Sequence, residues 1–359
     1  MSPDKQPDEA AVRSVLDTFT DPETGRSIVR LNQVHQLALQ GERLSLVLGL
    51  TTFSAPLWQR TRSELLELLR KSFPTLEIQI ELEVHDRPPE KIGEIGLAAK
   101  SVIAVGSGKG GVGKSTIAAS LAYGLSRAGS RVGLMDADVY GPSIPHLLGS
   151  THRPQIVNQR IQPVMVDGLA VMSMGFLVPP EEAVIWRGPM LHGAITQFLR
   201  DTEWGQLDYL IIDLPPGTGD ISLTLSQLLP LTGAVVVCTP QDVALLDATK
   251  AITMFRKLNI DVLGMVENMS FFQCPDCGSR HEIFGHGGAQ RRGNEMGVPF
   301  LGEVPLNAQL RVLGDEGRVG GGFEEPTAKP YLEALCVNLV SNLVLARRQR
   351  PPLPTLPVL

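Results

Sequence analysis

Cysteine is scarce in this chain, with four in 359 residues, two of them close together in Cys274-Pro275-Asp276-Cys277. So few thiols argue against a disulfide framework and fit a reducing compartment, leaving the close pair for a metal or redox task. Long apolar runs are also missing. Hydrophobic residues make up 43% of the chain, yet none of their runs approaches the roughly 20 residues that span a bilayer, so a soluble protein is expected. Met1 to Thr20 is polar and acidic, with no apolar core and no Arg-rich amphipathic presequence, which makes the cytoplasm the expected compartment. Excess positive charge is absent as well. The formal net charge is −6, whereas non-specific nucleic-acid binding rests on many Lys and Arg. Proteins and a nucleotide are the expected partners, with no nucleic acid and no membrane.

The length allows one large and one small domain, each with its own core. Residues 8–88 read as a small α/β domain that starts with a short helix and a hairpin turning at Gln40-Gly41-Glu42. Leu65, Leu66, Leu68 and Leu69 give Arg62 to Phe73 a helical spacing. Leu76, Ile78, Ile80, Leu82 and Val84 then alternate with Glu77, Gln79, Glu81 and Glu83, as in a strand with one wet and one buried face. Arg87-Pro88-Pro89-Glu90 breaks the pattern, and residues 89–99 read as a linker.

From residue 100 to 347, short apolar runs recur at Val102 to Val105, Val132 to Met135, Tyr209 to Ile212, Ala234 to Cys238 and Val262 to Val266. Helical spacings such as Ile117, Leu121 and Leu125 lie between them. Buried strands alternating with helices predict a doubly wound α/β domain with a mostly parallel sheet. Gly317 to Gly322 reads as mobile, and residues 348–359 as a Pro-rich tail without fixed structure.

Gly108-Lys109-Gly110-Gly111-Val112-Gly113-Lys114-Ser115, continued by Thr116, fits the phosphate-loop pattern between a predicted strand and a predicted helix. Its glycines let backbone N–H groups wrap phosphate oxygens at a helix N-terminus. Lys114 is placed to reach the β/γ-phosphates of ATP or GTP and Ser115 to ligate Mg²⁺. Lys109 is a second lysine within the loop, and with it the motif resembles the deviant Walker family of P-loop ATPases that includes MinD, ParA, nitrogenase iron protein and ArsA. In that family the extra lysine crosses to the nucleotide of a partner subunit, which implies a homodimer with nucleotide sandwiched between subunits.

Two acidic sites end predicted strands. Asp213, after Leu210-Ile211-Ile212, matches a carboxylate that holds Mg²⁺ through its water shell, with Gly217, Gly219 and Asp220 forming a switch loop. Asp136 and Asp138 match the family's first switch, Asp136 at the Mg²⁺ shell and Asp138 orienting the attacking water. In relatives the base lies against an asparagine and a proline that correspond to Asn268 and Pro305 here. A carboxamide can pair with both a donor and an acceptor on adenine, and no Asn-Lys-x-Asp element for guanine occurs, which favours ATP.

Cys274 and Cys277 sit in a polar loop soon after Asn268. Two thiolates at this spacing can grip one edge of a cluster, and a two-fold dimer would supply the other two ligands of a [4Fe–4S] cluster. Zinc held by Cys274, Cys277, His281 and His286, or a redox dithiol, are the alternatives. Cys238 and Cys336 lie in apolar strand and helix contexts and read as buried, inert thiols.

Taken together, Ser107 to Thr116, Asp136 to Ser143, Asp213 to Asp220, Arg187-Gly188-Pro189-Met190, Glu267-Asn268-Met269-Ser270, the cysteine pair and Gly302-Glu303-Val304-Pro305-Leu306 resemble the Mrp/ApbC family of iron–sulfur cluster carriers. The likeness covers essentially the whole chain, small N-terminal domain included. It implies an ATP-hydrolysing carrier that holds a [4Fe–4S] cluster across a homodimer and passes it from cluster-assembly scaffolds to apo iron–sulfur proteins. One departure is clear. Where the small domain of relatives often has a cysteine after a Thr-Thr pair, this chain reads Thr51-Thr52-Phe53-Ser54-Ala55-Pro56, so a docking role without thiol chemistry is expected there.

A positioning ATPase of the MinD/ParA kind, with a structural or zinc-binding Cys-x-x-Cys loop, is the rival. A membrane anchor of that kind needs a basic amphipathic helix, whereas Leu332, Leu335, Leu339 and Leu343 read as a core-packing stripe with a basic end at Arg347, Arg348 and Arg350.

Overall fold

Alternating apolar and polar residues between Leu44 and Val84 supply two strands of a three-stranded sheet in the computed structural model, and Val34–Gln40 supplies the third. The structure describes residues 8–139, 141–177, 188–217 and 219–349, with the backbone alone for 188–189, 219–220 and 348–349. Arg187, Tyr140, Thr218 and the tail beyond residue 349 therefore lie outside the described residues.

The chain divides into two units, one running to Arg87 and resuming at Val340, the other Pro88–Leu339. In the first, α1 (Glu9–Thr18) is capped by Asp8, whose carboxylate accepts from the Ala11 N–H at 2.7 Å. Strands β1 (Val34–Gln40) and β2 (Arg43–Leu50) pair antiparallel about Gly41, and β3 (Glu77–Val84) pairs parallel to β2. Helix α2 (Trp58–Ser72) crosses over and buries Leu65 and Leu69, each contributing about 1.5–3 kcal/mol by leaving water. It starts earlier than its leucine spacing suggests. A 3₁₀ turn over Thr52–Leu57 leads directly into it, and the Trp58 indole N–H donates to the Thr51 carbonyl at 3.0 Å. The strand alternation holds through Leu82, but Val84 is 60% exposed at the strand's end.

The C-terminal helix, α10 (Lys329–Gln349), returns to this unit through its last turns. Arg347 lies 4.3 Å above the Phe53 ring and 3.8 Å from Glu23. Arg87 also pairs with Glu23 and Asp21, at 3.2 and 3.1 Å.

In the second unit, the residues read as a linker form a hairpin: β4 (Lys91–Ile92) pairs antiparallel with the start of β5 (Leu97–Gly106). Then follow α3 (Lys114–Arg127), β6 (Val132–Asp136), α4 (Ile144–Leu147), β7 (Gln155–Val157), β8 (Arg160–Gln162), β9 (Val164–Val166) and β10 (Leu169–Ser173). Next come α5 (Gly188–Asp201), β11 (Leu207–Asp213), α6 (Gly219–Leu228), β12 (Gly233–Cys238), α7 (Asp242–Lys257) and β13 (Val262–Asn268). A small hairpin of β14 (Phe272–Gln273) and β15 (Arg280–His281) precedes α8 (Gly288–Met296), β16 (Phe300–Val304), α9 (Ala308–Asp315) and α10 (Lys329–Gln349).

The main sheet runs β16-β13-β12-β5-β11-β6-β10-β9, parallel throughout except for β9, with β4 paired to β5. Strands β6, β11 and β12 are buried along their whole length, which is why they read as unbroken apolar runs. The carboxyl ends of β5, β6, β11 and β13 therefore share one edge, where α/β sheets bind ligands.

Gly317 to Gly322 is packed, contrary to the expected mobility. Val319–Phe323 forms a 3₁₀ turn, and a Cβ on Gly320 would lie 2.4 Å from the Tyr123 ring. Gly320 thus serves close approach to α3, and Gly321 and Gly322 close approach to Leu313 and Leu310 of α9, instead of freedom. Cys238 and Cys336 are buried, and burial pushes each thiol up to about 12. Leu332, Leu335, Leu339 and Leu343 are buried along α10, and among the described residues no helix is long and apolar enough to cross a membrane.

Candidate functional site

The phosphate loop leaves β5 at Gly106 and enters α3 at Lys114. Gly111 and Gly113 both hold φ at +79°, a left-handed conformation that a Cβ would strain. At Gly113 the space is also taken, because a Cβ there would sit 2.2 Å from the Asn268 amide nitrogen. Gly108 is similarly tight, its Cβ position 2.1 Å from the Asp247 backbone on α7. The Ser107 hydroxyl donates to the Lys109 carbonyl at 2.9 Å and the Gly217 N–H to the Ser107 carbonyl at 3.0 Å, tying the loop to the segment after β11. Gly110 and Gly111 are exposed, and Lys109 is half-buried with no ion pair among the described residues.

Lys114 points back under the loop. Its ammonium lies 2.5 Å from Asp213 Oδ1, 3.2 Å from the Ser115 hydroxyl and 4.0 Å from Asp138 Oδ2. Register explains the meeting, since Asp213 pairs with Val105 of β5 on one side and Asp136 of β6 on the other. Burial raises the Asp213 carboxyl above its ordinary range, opposed by the Lys114 charge. Its second oxygen, Oδ2, is buried with no hydrogen-bond partner among the described residues. An orphaned carboxylate oxygen beside a hydroxyl and a second carboxylate fits a hard cation such as Mg²⁺, for which Asp213, Ser115 and Asp138 would be the oxygen donors or their water partners.

Asp136 and Asp138 divide differently from each other. Asp136 accepts from the Asp138 N–H at 3.0 Å, the Ile144 N–H at 3.2 Å and the Ser173 hydroxyl at 2.9 Å. Burial, and then the neighbouring Asp213 charge, push its carboxyl up to about 8. It holds the switch segment in place from beneath. Among the described residues Asp138 accepts only the Gly141 N–H, at 3.3 Å, and keeps Oδ2 on the Lys114 side.

Asn268 ends β13 and donates to the Val112 carbonyl at 2.9 Å, so it braces the loop from behind. Pro305 is buried one residue beyond Val304, the β16 residue paired with Asn268. The two are thus neighbours at the same sheet edge.

The cysteines occupy a different feature, the β14–β15 hairpin. The Cys274 N–H donates to the Ser279 carbonyl and the Gly278 N–H to the Cys274 carbonyl, each at 2.9 Å, so the turn holds both thiols on one tip. Cys277 is exposed and Cys274 half-buried. The Ser279 hydroxyl, 3.2 Å from Cys277 Sγ, is first among the groups that lower the Cys277 thiol.

The four-ligand zinc reading does not match this geometry. His286 gives Nε2 to Glu303 Oε2 at 2.6 Å, and His281 lies on the exposed β15. Among the described residues the group with metal-like spacing is Glu267, His286 and Glu303, without a thiol. Its oxygens are already engaged: Glu267 accepts from Gly287 N, Ala289 N and the Ser270 hydroxyl, and Glu303 accepts both Arg280 Nη atoms at 3.2 Å. Arg280 carried no signal in the sequence. Glu267, Ser270 and Glu303 stood inside quoted motifs, yet only their side-chain bonds reveal a role.

With this geometry in view, comparison with known proteins is specific. Residues 98–339 match the family described as NUBPL iron-transfer P-loop NTPase, and residues 9–80 match one described as iron-sulfur cluster assembly protein. The iron-sulfur cluster carrier protein of Deinococcus radiodurans is 46% identical over 86% of this chain and 87% of its own. That of Escherichia coli is 43% identical over 86% and 85%. The iron-sulfur cluster transfer protein NUBPL of Dictyostelium discoideum is 46% identical over 75% and 84%. Among solved structures, the nucleotide-binding protein of Archaeoglobus fulgidus in complex with ADP aligns over 64% of this chain and 90% of its own, with a TM-score of 0.57 and 43% identity. A complete phosphate loop, a two-thiol hairpin and relatives matched along most of their length lead to one assignment: the chain belongs to the iron-transfer P-loop NTPase family of iron–sulfur cluster carriers.

Proposed function

We propose that this chain is an ATP-hydrolysing carrier that takes a [4Fe–4S] cluster as cargo across a homodimer and delivers it to apo-proteins in the cytoplasm. The observation that carries the reading is the exposed hairpin with two thiols and no further Cys ligand near it: the chain's other cysteines, Cys238 and Cys336, are buried elsewhere. Two thiolates fill half of a four-thiolate site, so a second copy completes it. Cys274 and Cys277 are the proposed cargo ligands.

On the nucleotide side, Gly108 to Thr116 would wrap the phosphates, and Lys114 would exchange Asp213 for the β/γ-phosphates. Bound Mg²⁺ would supply charge compensation there, held through Ser115 and Asp213. Release of Lys114 leaves Asp138 as the carboxylate best placed to orient an attacking water, while Asp136 keeps the segment anchored. Lys109, half-buried at the loop's mouth and without an ion pair among the described residues, is assigned to a partner subunit's nucleotide. Asn268 and Pro305 border the proposed adenine position. The N-terminal unit contains no cysteine, and Ala55 is buried in its 3₁₀ turn, so its role is docking to donors or recipients of the cluster.

Anaerobic reconstitution with iron and sulfide tests the reading. About four irons per dimer, with the absorbance and Mössbauer spectra of a [4Fe–4S] cluster and loss in Cys274→Ala, are expected. Zinc alone, or iron retained without Cys274, would refute it.

A further inference from the structure

The cysteine hairpin is bolted to the strand ends that carry the nucleotide contacts. Arg280, in β15 and three residues past Cys277, makes a two-pronged pair with Glu303 of β16, Nη1 to Oε1 and Nη2 to Oε2, both 3.2 Å. Its guanidinium also lies 3.7 Å over the ring of the buried Phe271, at the hairpin's other foot. Glu303 Oε2 further accepts from His286 at 2.6 Å, and the Ser270 hydroxyl oxygen lies 3.2 Å from it. That hydroxyl also reaches Glu267 at 2.7 Å, and Glu267 pairs in register with Glu303.

From this knot the chain is short in both directions. Asn268, two residues before Ser270, holds the Val112 carbonyl of the phosphate loop, and the intervening Met269 takes a left-handed φ of 56°. Glu303 stands two residues before Pro305, and the next N–H, that of Leu306, donates to the Phe271 carbonyl at 2.7 Å. The loop and the Val304–Pro305 segment are therefore joined through direct bonds to the two feet of the hairpin. A planar fork between guanidinium and carboxylate fixes orientation as well as distance, which a single hydrogen bond does not.

We infer that Arg280 and Glu303 are positioning residues that couple occupancy of the phosphate loop to the grip of Cys274 and Cys277 on their cargo. This rests on the carrier reading above and names the device that would regulate it. The metal-like spacing of Glu267, His286 and Glu303 belongs to the same device: those oxygens organise the N-terminus of α8 and hold the hairpin foot.

Reconstituted protein gives the test, with iron release to a ferrous chelator timed without nucleotide, with ADP and with ATP. The parent chain is expected to show rates differing about 5-fold or more between states, the range of ordinary inter-site coupling. In Glu303→Gln and in Arg280→Gln the ratio should fall towards one while iron loading is kept. Linkage makes coupling reciprocal in binding affinity, so the effect of the cluster on ADP affinity should also shrink in both variants. Arg280 is 39% exposed, so its replacement carries the test even if Glu303→Gln fails to fold. A parent without nucleotide dependence, or variants that retain the parent's ratio, would overturn the coupling. Failure of the carrier reading is a different result: no iron taken up by the parent, or iron kept by Cys274→Ala.

Discussion

Replacing Lys114 by methionine keeps the buried stem and removes the ammonium 2.5 Å from Asp213 Oδ1. The Lys114 side chain is 7% exposed and that of Asp213 0%, so water cannot substitute for the lost charge. Because Asp213 Oδ2 already lacks a partner among the described residues, the variant leaves this carboxylate buried with neither oxygen paired to the lysine. Breaking one side of a buried ion pair costs about 3–5 kcal/mol. At about 2–4 °C per kcal/mol for a unit of this size, the nucleotide-free protein should melt about 6–20 °C lower. Adding Asp213→Asn should recover about 1–3 kcal/mol, since a neutral amide tolerates the site better than an isolated carboxylate. The assay is thermal melting at pH 7 in chelator, repeated with ADP. The parent gains about 2.7 kcal/mol at a ligand concentration of 100 Kd, and Lys114→Met should gain nothing. A single variant melting within about 2 °C of the parent, or a double variant melting below the single, would refute the reasoning.

Gly320→Ala should destabilise by about 1–3 kcal/mol through its clash with the Tyr123 ring, seen as a lower denaturation midpoint with nucleotide affinity preserved. Asp136 is raised from 3.8 to about 8, so the folded chain keeps a proton that the unfolded chain gives up between those values. Its contribution is complete at the acid end and declines as pH rises from about 4 to about 8, by at most about 1.4 kcal/mol per pH unit. Urea titrations of metal- and nucleotide-free protein at pH 6 and 8 should show that decline, and Asp136→Asn should flatten it. Alkylation of native protein near neutral pH should mark Cys277 first and spare Cys238 and Cys336, read by peptide mass, since the former thiol is exposed and lowered and the latter two are buried and raised.

Periodicity and motif spacing act locally, and what they govern was legible in the sequence. Unbroken apolar runs announced strands buried on both faces, and Gly108 to Ser115 announced a strand–loop–helix cradle, because the left-handed φ at Gly111 and Gly113 and the crowding at Gly113 favour glycine. The cysteine spacing corresponds to a hairpin turn that carries both thiols. Other features depend on which segments meet in space. Residues 89–99 gave no strand signal, yet they pair with β5 because its first residues offer an open edge. Gly317 to Gly322 looked loose until Tyr123 came up against it. His286 could not be separated from the thiols by sequence; Glu303, brought opposite it by the β13–β16 register, decides its partner. Arg280 is ordinary in sequence and becomes the link between hairpin and strand only where two distant backbones converge. Short-range geometry and burial pattern are written residue by residue, whereas side-chain pairing across more than twenty residues is fixed by the packing of the finished sheet.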